Sequence, residues 1–521
     1  MKRYILIPIL LLAPCSLSFL QAQDTYMNER LTNSSSDVIG TARYVGMGGA
    51  LGALGADISV ISWNPAGIGL YRKNDIALTM GGLWGKSSIK EENRGKFTFD
   101  QAGFVFNMKT GGETCPYVNF SFNYQKKINF NHNFYAFNDN LGGLSQMDQV
   151  AELTYWDNGT ENLAGLAIDR EFLNSALDGD GKQYYYNYYA SYKNKYTHHS
   201  EGSAQAFDFN ISTNIKDRAF LGLTVGVDNM RFRELTCYEE FGDGDYALSR
   251  NCRITGTGVN VKLGTIIRPF EDNPFRFGFA VETPTWYRLR NDTWFDFGKD
   301  INENTALRSY LKFNVRTPWK VRTSIGSTVG STFAWDVDYE YAAYAGMNTG
   351  YPELEYADGS TSGNVKDVAM NEFTRDILRG THTLRIGTEI NATKNLAFRL
   401  GYNLSTSAYE KNIGFDQFNI DSRAMNYATG TNYMRLGNTN ILTLGAGYHA
   451  KKFYIDLAYK VRNQKADFYA FDTRFTDEVN GDPVFLNNVR TSAPELINAT
   501  IDPVDVNLTR HTITCTLGFK F

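Results

Sequence analysis

The sequence predicts an all-β protein, an antiparallel transmembrane β-barrel of about 14 strands with an internal N-terminal hatch, or plug. Three observations lead there. Segments of about ten residues alternate strictly between apolar and polar positions, the period of a strand with two unlike faces. A secretory leader precedes them, and no later run approaches the roughly 18 apolar residues of a membrane-crossing helix. Aromatic residues make up 14% of the 521, with 35 Phe and 32 Tyr, in line with aromatic girdles at two membrane interfaces. An exported chain without helical spans crosses a membrane only as a closed barrel, because hydrocarbon tolerates no unpaired backbone group.

Residues 1–23 read as the signal peptide. Lys2 and Arg3 form its basic start, 5–12 and 17–20 are apolar, and Ala22 marks a small-residue exit. The formal charge of −4 and the lack of a basic block argue against a nucleic-acid partner. No linker or low-complexity tract divides the remainder, which reads as a hatch at 24–73 and a barrel at 74–521.

The hatch centres on residues 41–72, TARYVGMGGALGALGADISVISWNPAGIGLYR. Its glycines let backbone approach backbone and break the tract into short pieces. Asn64-Pro65-Ala66-Gly67 reads as the most constrained turn, with Asn tolerating left-handed geometry, Pro fixing φ and Gly67 supplying φ > 0. Over roughly 41–84 this pattern resembles the hatch of the FadL-type outer-membrane transporters of long-chain fatty acids and other hydrophobic compounds. The resemblance implies a barrel of the Gram-negative outer membrane closed from inside. Gating would then fall to Asn64, Pro65, Ala66 and Gly67.

The alternation places strands at 74–89, 96–109, 116–130, 203–216, 220–236, 252–268, 275–290, 306–329, 331–344, 380–392, 395–408, 436–449, 452–466 and 507–521. Leu396, Phe398, Leu400 and Tyr402, for example, share one face against Ala397, Arg399, Gly401 and Asn403. The long connections 131–202, 345–379, 409–435 and 467–506 then all fall outside, and tight turns at 216–219, 392–395 and 449–452 fall inside. Parity keeps 306–329 as one strand bent at Pro318, with Pro284 a similar irregularity next door. The last strand ends on Phe521, like the C-terminal signal of chains inserted by the barrel assembly machinery. Inward charges (Asp336, Asp338, Glu340, Arg385, Glu389, Arg399, Asp456, Lys460) are expected to form a polar lumen lattice against the hatch.

No catalytic constellation, metal motif or cofactor site is legible, and the His198-His199 pair reads as solvated loop. Cys237 and Cys252 flank a polar tip and could form a disulfide in an exported chain. In 131–202, Met147, Val150 and Tyr155 form one helical stripe, and Leu163, Leu166, Phe172 and Leu173 another. These stripes either pack the loop onto the rim or line a groove that captures an apolar solute. In FadL-type proteins a helical extracellular loop occupies this place. The expected function is a non-enzymatic channel for passive uptake of hydrophobic small molecules, with outer-membrane lipids as surroundings. The alternatives are a general porin and a structural or adhesive barrel. Ligand identity, lateral or periplasmic release, and oligomeric state stay open.

Overall fold

Residues that alternate in the sequence alternate in space, apolar side chains outward and polar or small ones inward. The computed structural model describes residues 37–85, 95–156, 162–177, 181, 183–302, 305–356, 359–410, 427–471, 478–479, 482–483 and 501–521. The leader 1–23 and the first part of the expected hatch lie outside them.

The wall is built from β1 (Asp75–Gly85), β2 (Lys96–Lys109), β3 (Tyr117–Asn129), β4 (His132–Asn138), β5 (Ser191–Ile215), β6 (Ala219–Gly242) and β7 (Tyr246–Ile267). It continues through β8 (Arg276–Glu282), β9 (Trp286–Phe297), β10 (Leu307–Arg316), β11 (Lys320–Val329), β12 (Phe333–Ala343) and β13 (Asn348–Tyr351). The remaining strands are β14 (Gly380–Asn391), β15 (Leu396–Ser405), β16 (Tyr433–His449), β17 (Phe453–Tyr469), β18 (Val504–Asn507) and β19 (Arg510–Lys520). Collinear pieces join into a closed antiparallel ring of 14 staves, sealed where β1 pairs with β19, Asp75 opposite Lys520 and Gly85 opposite Arg510. No described helix is long and apolar enough to cross a membrane.

The two predicted bends are breaks in the ladder. β8 and β9 are halves of one stave, and β10 and β11 of its neighbour; Glu282 opposite Lys320 and Trp286 opposite Arg316 set Pro284 directly across from Pro318. Neither proline has an N–H, so the ladder loses both donors at that pair. The next stave breaks at the same level, where a 3₁₀ turn at Tyr344–Gly346 separates β12 from β13.

Several expectations change. The strands run well past their predicted upper ends, and β4 and the start of β5 occupy part of the expected 131–202 loop. The turn after β6 is tight, and register sets Cys237 against Ser249 and Cys252 against Glu234. Three positions apart, on opposite faces and about 10 Å from one another along the strand, the two cysteines form no bridge. His198 is likewise a buried strand residue stacked on Phe134 at 4.5 Å, not a loop histidine. The interior is predominantly polar in its lower half, near the short turns, and mixed above, where Glu234, Glu240, Arg250 and Asn291 are also buried. Above, inward residues such as Phe232, Leu248, Phe295, Phe313 and Phe468 build one apolar core.

Candidate functional site

The residues 37–72 lie against inward-facing side chains all round the ring. Thr41 caps α1 (Ala42–Gly46) by accepting from Tyr44 N at 3.1 Å and donates its own hydroxyl to Asp57 at 2.8 Å. Asp57 also accepts from Ser59 N at 2.9 Å, starting the 3₁₀ turn Ile58–Ser62. Asn64 caps the following 3₁₀ turn, Pro65–Leu70, accepting from Ala66 N at 3.2 Å, and Pro65 fills the first turn position, where a missing N–H costs nothing. Its amide donates to Gly52 O at 2.8 Å and to Thr265 O of β7 at 3.2 Å. Asn64 thus ties two parts of the segment to the wall.

Gly67 plays a different part from the one its sequence context suggests. Its φ is not positive; the left-handed positions are Gly48, Gly49, Gly55 and Ala56. A Cβ at Gly67 would meet Val60 Cγ2 at 2.6 Å and Gly55 Cα at 3.1 Å, so close packing demands the glycine. The wall answers in kind at Gly401 of β15, where a Cβ would lie 2.1 Å from Gly48 N.

Charges do the rest. Asp338 accepts from Leu51 N and Gly52 N at 3.2 and 3.1 Å, and Asp336 from Ala53 N and Leu54 N at 3.0 and 2.8 Å. Arg385 donates to Tyr44 OH at 2.7 Å and Lys460 to Val38 O at 2.7 Å. Glu389 accepts from Arg43 at 3.0 Å and from Arg399 at 2.6 Å, and Arg399 reaches Asp456 at 2.5 Å. Burial pushes the Asp37 carboxyl up, but Arg510, Lys460 and Arg462 outweigh it and hold it well below the usual carboxylate range. All eight inward charges read from the alternation are buried. Arg322 was not among them, though its strand phase was available: it bonds Trp63 O at 3.0 Å, Glu340 at 2.6 Å and Glu282 at 2.5 Å.

A cavity of about 100 Å³ sits where the polar and apolar halves meet. Ile128, Tyr287 and Tyr344 line it from above, and Tyr44, Trp63, Lys320, Arg322 and Arg385 from below. Thr285 and Thr317, beside the facing prolines, form part of its wall. Arg385 and Arg322 stack on Trp63 at 3.6 and 4.5 Å, while Trp63 Nε1 and Arg385 Nε are buried without a hydrogen-bond partner. Beyond the segment, toward the short turns, a second cavity of about 740 Å³ is lined by Arg43, Asp57, Glu389, His449 and residues 391–394.

Above the first cavity, the loop helices α2 (Gln146–Trp156) and α3 (Leu163–Asp169) close the ring. Met147, Val150, Leu163, Leu166 and Leu173 are buried in the apolar core, and Phe172 packs on it against Phe297. Tyr155 belongs to α2, but its side chain lies outside the described residues. The described members of both stripes face into the ring rather than an open groove. Glu240 anchors this lid, accepting from Gln146 N at 3.0 Å, Tyr246 OH at 3.1 Å and the hydroxyls of Ser145 and Ser191.

The fold and interior define a class: a closed antiparallel barrel of 14 staves whose lower interior is occupied by its own N-terminal segment. That is the fold of the crystal structure of a Pseudomonas aeruginosa FadL homologue, to which the chain is similar at 10% identity and a TM-score of 0.53, over 94% of this chain and 100% of that one. The CymD monoaromatic hydrocarbon channel (9% identity, TM-score 0.48, 93% and 97% covered) and the Ralstonia pickettii toluene transporter TbuX (13%, 0.45, 93% and 98%) superpose less closely. No family model and no curated protein matches the sequence.

Proposed function

We propose that the protein is an outer-membrane channel for passive uptake of hydrophobic small molecules, with residues 37–72 acting as its hatch. The observation that carries this is the large apolar core of the upper interior, which ends on a cavity beside three aligned breaks in the wall. A water-filled porin needs the opposite, a polar open lumen. The outward face is correspondingly apolar, with Leu221, Leu263, Phe279, Leu400, Leu444 and Leu517 all exposed. Capture would begin at the α2–α3 lid, whose Met147, Val150, Leu163, Leu166, Phe172 and Leu173 offer an apolar solute a core to dissolve into. The two unpartnered donors at Trp63 and Arg385 suit a carboxylate head group, which favours a long-chain fatty acid. Release sideways through the prolines needs no hatch movement, whereas release inward requires the segment between the two cavities to shift.

The test pairs uptake of a labelled fatty acid into cells with planar-bilayer recording, for wild type and Asn64→Ala/Gly67→Val. The variant loses the Asn64 bonds and overpacks Val60, so the barrel is expected to assemble but with altered uptake and higher ion conductance. Unchanged uptake and conductance in an assembled variant would remove the gate from this stretch.

A further inference from the structure

The outward face carries a charge cluster that neither the interior nor transport explains. On β6 the exposed apolar run Leu221, Leu223, Val225, Val227 gives way abruptly to Asn229, Arg231 and Arg233. Register carries the same change across the neighbouring staves. Val227, Val259 and Trp286 share a row, and two residues further from the short turns Thr257 pairs with Arg288. One row beyond, Arg231 lies opposite Thr255, which lies opposite Arg290 and then Lys312; Arg253 follows in the next. Outward residues in successive rows are about 7 Å apart and staves about 4.8 Å. Arg231, Arg253, Arg288 and Arg290 therefore sit within roughly 15 Å of one another, with Arg316 at the edge.

These five arginines are exposed and none of them makes an ion pair among the described residues; Asp292 stands opposite Arg253 and is felt by Arg290, but its carboxylate is bonded to Arg308. The nearby acids are already engaged: Asp292 holds Arg308 through two bonds at 2.7 and 2.9 Å, Glu201 faces Arg233 at 3.8 Å, and Glu355 binds Lys312. Nor is this a uniform interfacial belt. At three other places round the ring the outward pairs are neutral, Tyr339 with His382 at 2.6 Å, Tyr402 with Asn440 at 2.7 Å and Tyr459 with His511 at 2.8 Å. Five arginines that share a single nearby carboxylate already bonded to Arg308 repel one another unless a further anion covers them.

We infer that this face of β6, β7, β9 and β10 docks the phosphorylated head group of a membrane lipid, whose acyl chains lie on the apolar band directly beneath. Guanidinium groups suit phosphate oxygens through paired N–H bonds, and the adjoining apolar surface selects an anchored phosphate over a dissolved one. The inference rests on the membrane-spanning reading above but not on transport. The test is native mass spectrometry of the full chain released from mild detergent, titrated with a bis-phosphorylated glucosamine-disaccharide lipid, its dephosphorylated counterpart and inorganic phosphate. Wild type is expected to retain the phosphorylated lipid. Arg231→Gln/Arg288→Gln/Arg290→Gln, checked for a heat-resistant barrel, is expected to lose at least tenfold in retention. Lys109→Gln/Lys451→Gln, at the short-turn end, is expected to lose none. Equal retention of the dephosphorylated lipid, equal loss in both variants, or displacement by equimolar inorganic phosphate would each overturn the proposal. The lipid comparison on wild type decides alone if the triple variant does not assemble. A chain that retains the lipid yet fails in fatty-acid uptake would sink only the transport reading.

Discussion

At residue scale, the interior is governed by how closely two backbones approach. Gly401 faces Gly48 so tightly that any side chain at 401 meets main-chain nitrogen, which cannot rotate away. Gly401→Val is therefore expected to leave strand pairing intact, since outward packing and ladder bonds do not involve that Cβ, while displacing 46–49 from the wall. Overpacking of this kind costs about 1–3 kcal/mol, so the thermal transition should fall by a few degrees while the barrel stays heat-resistant on gels. Limited proteolysis within 37–72 checks it: unchanged protection would mean that the contact is not what seats the segment. The sequence displayed the glycines but not their partners. Gly67 shows why, because a glycine needed for close approach and one needed for positive φ look identical until the neighbour across the gap is known.

At the scale of elements, periodicity and parity were legible in the sequence, and loop boundaries were not. Counting fourteen strands required reading Pro318 as a bend, and the facing prolines confirm the bend while turning it into a break shared by two staves. The upper ends of β5, β6 and β7, at 191–202, 237–242 and 246–251, escape the pattern because both faces there mix polar and apolar residues, with His198, Tyr238, Glu240 and Leu248 all buried, which erases the period-two signal. The disulfide expectation failed for the same reason, since a polar hairpin tip was assumed where strands continue. Pro284→Val/Pro318→Thr restores two ladder donors and two β-branched side chains. The double variant is expected to be more stable by about 1–2 kcal/mol and to slow amide exchange at Thr285 and Thr317. If the break is the ligand's exit, fatty-acid uptake should drop several-fold; slowed exchange with full uptake would assign release to the inward route instead.

For the whole molecule, the decisive quantity is orientation, because the capture lid, the breaks and the arginine patch all presuppose that the long connections face outward. The geometry gives two well-separated ends. One carries the short turns, including Lys216 and Asp217 with positive φ, together with Asn74 and Phe521, which exchange backbone bonds at 3.1 and 3.2 Å. The other carries α2, α3, α4 (Val368–Ile377) and the hairpin tip at Gly359, whose φ of +80° and open surroundings mark a loop tip. A cysteine at Gly359 should react on intact cells with a membrane-impermeant maleimide, and a cysteine at Asp217 only after the outer membrane is permeabilised. The native cysteines provide an internal control, since buried Cys252 should stay silent until denaturation while Cys115, beside a short turn, should follow Asp217→Cys. Gly359→Cys loses a positive-φ glycine, a strain of about 1 kcal/mol that an exposed tip absorbs without unfolding the wall. Labelling of Asp217→Cys but not Gly359→Cys on intact cells would invert the barrel and place the arginine patch in the inner leaflet. Labelling of both would mean that the ring does not span the membrane, and the transport reading and the lipid inference would fall together.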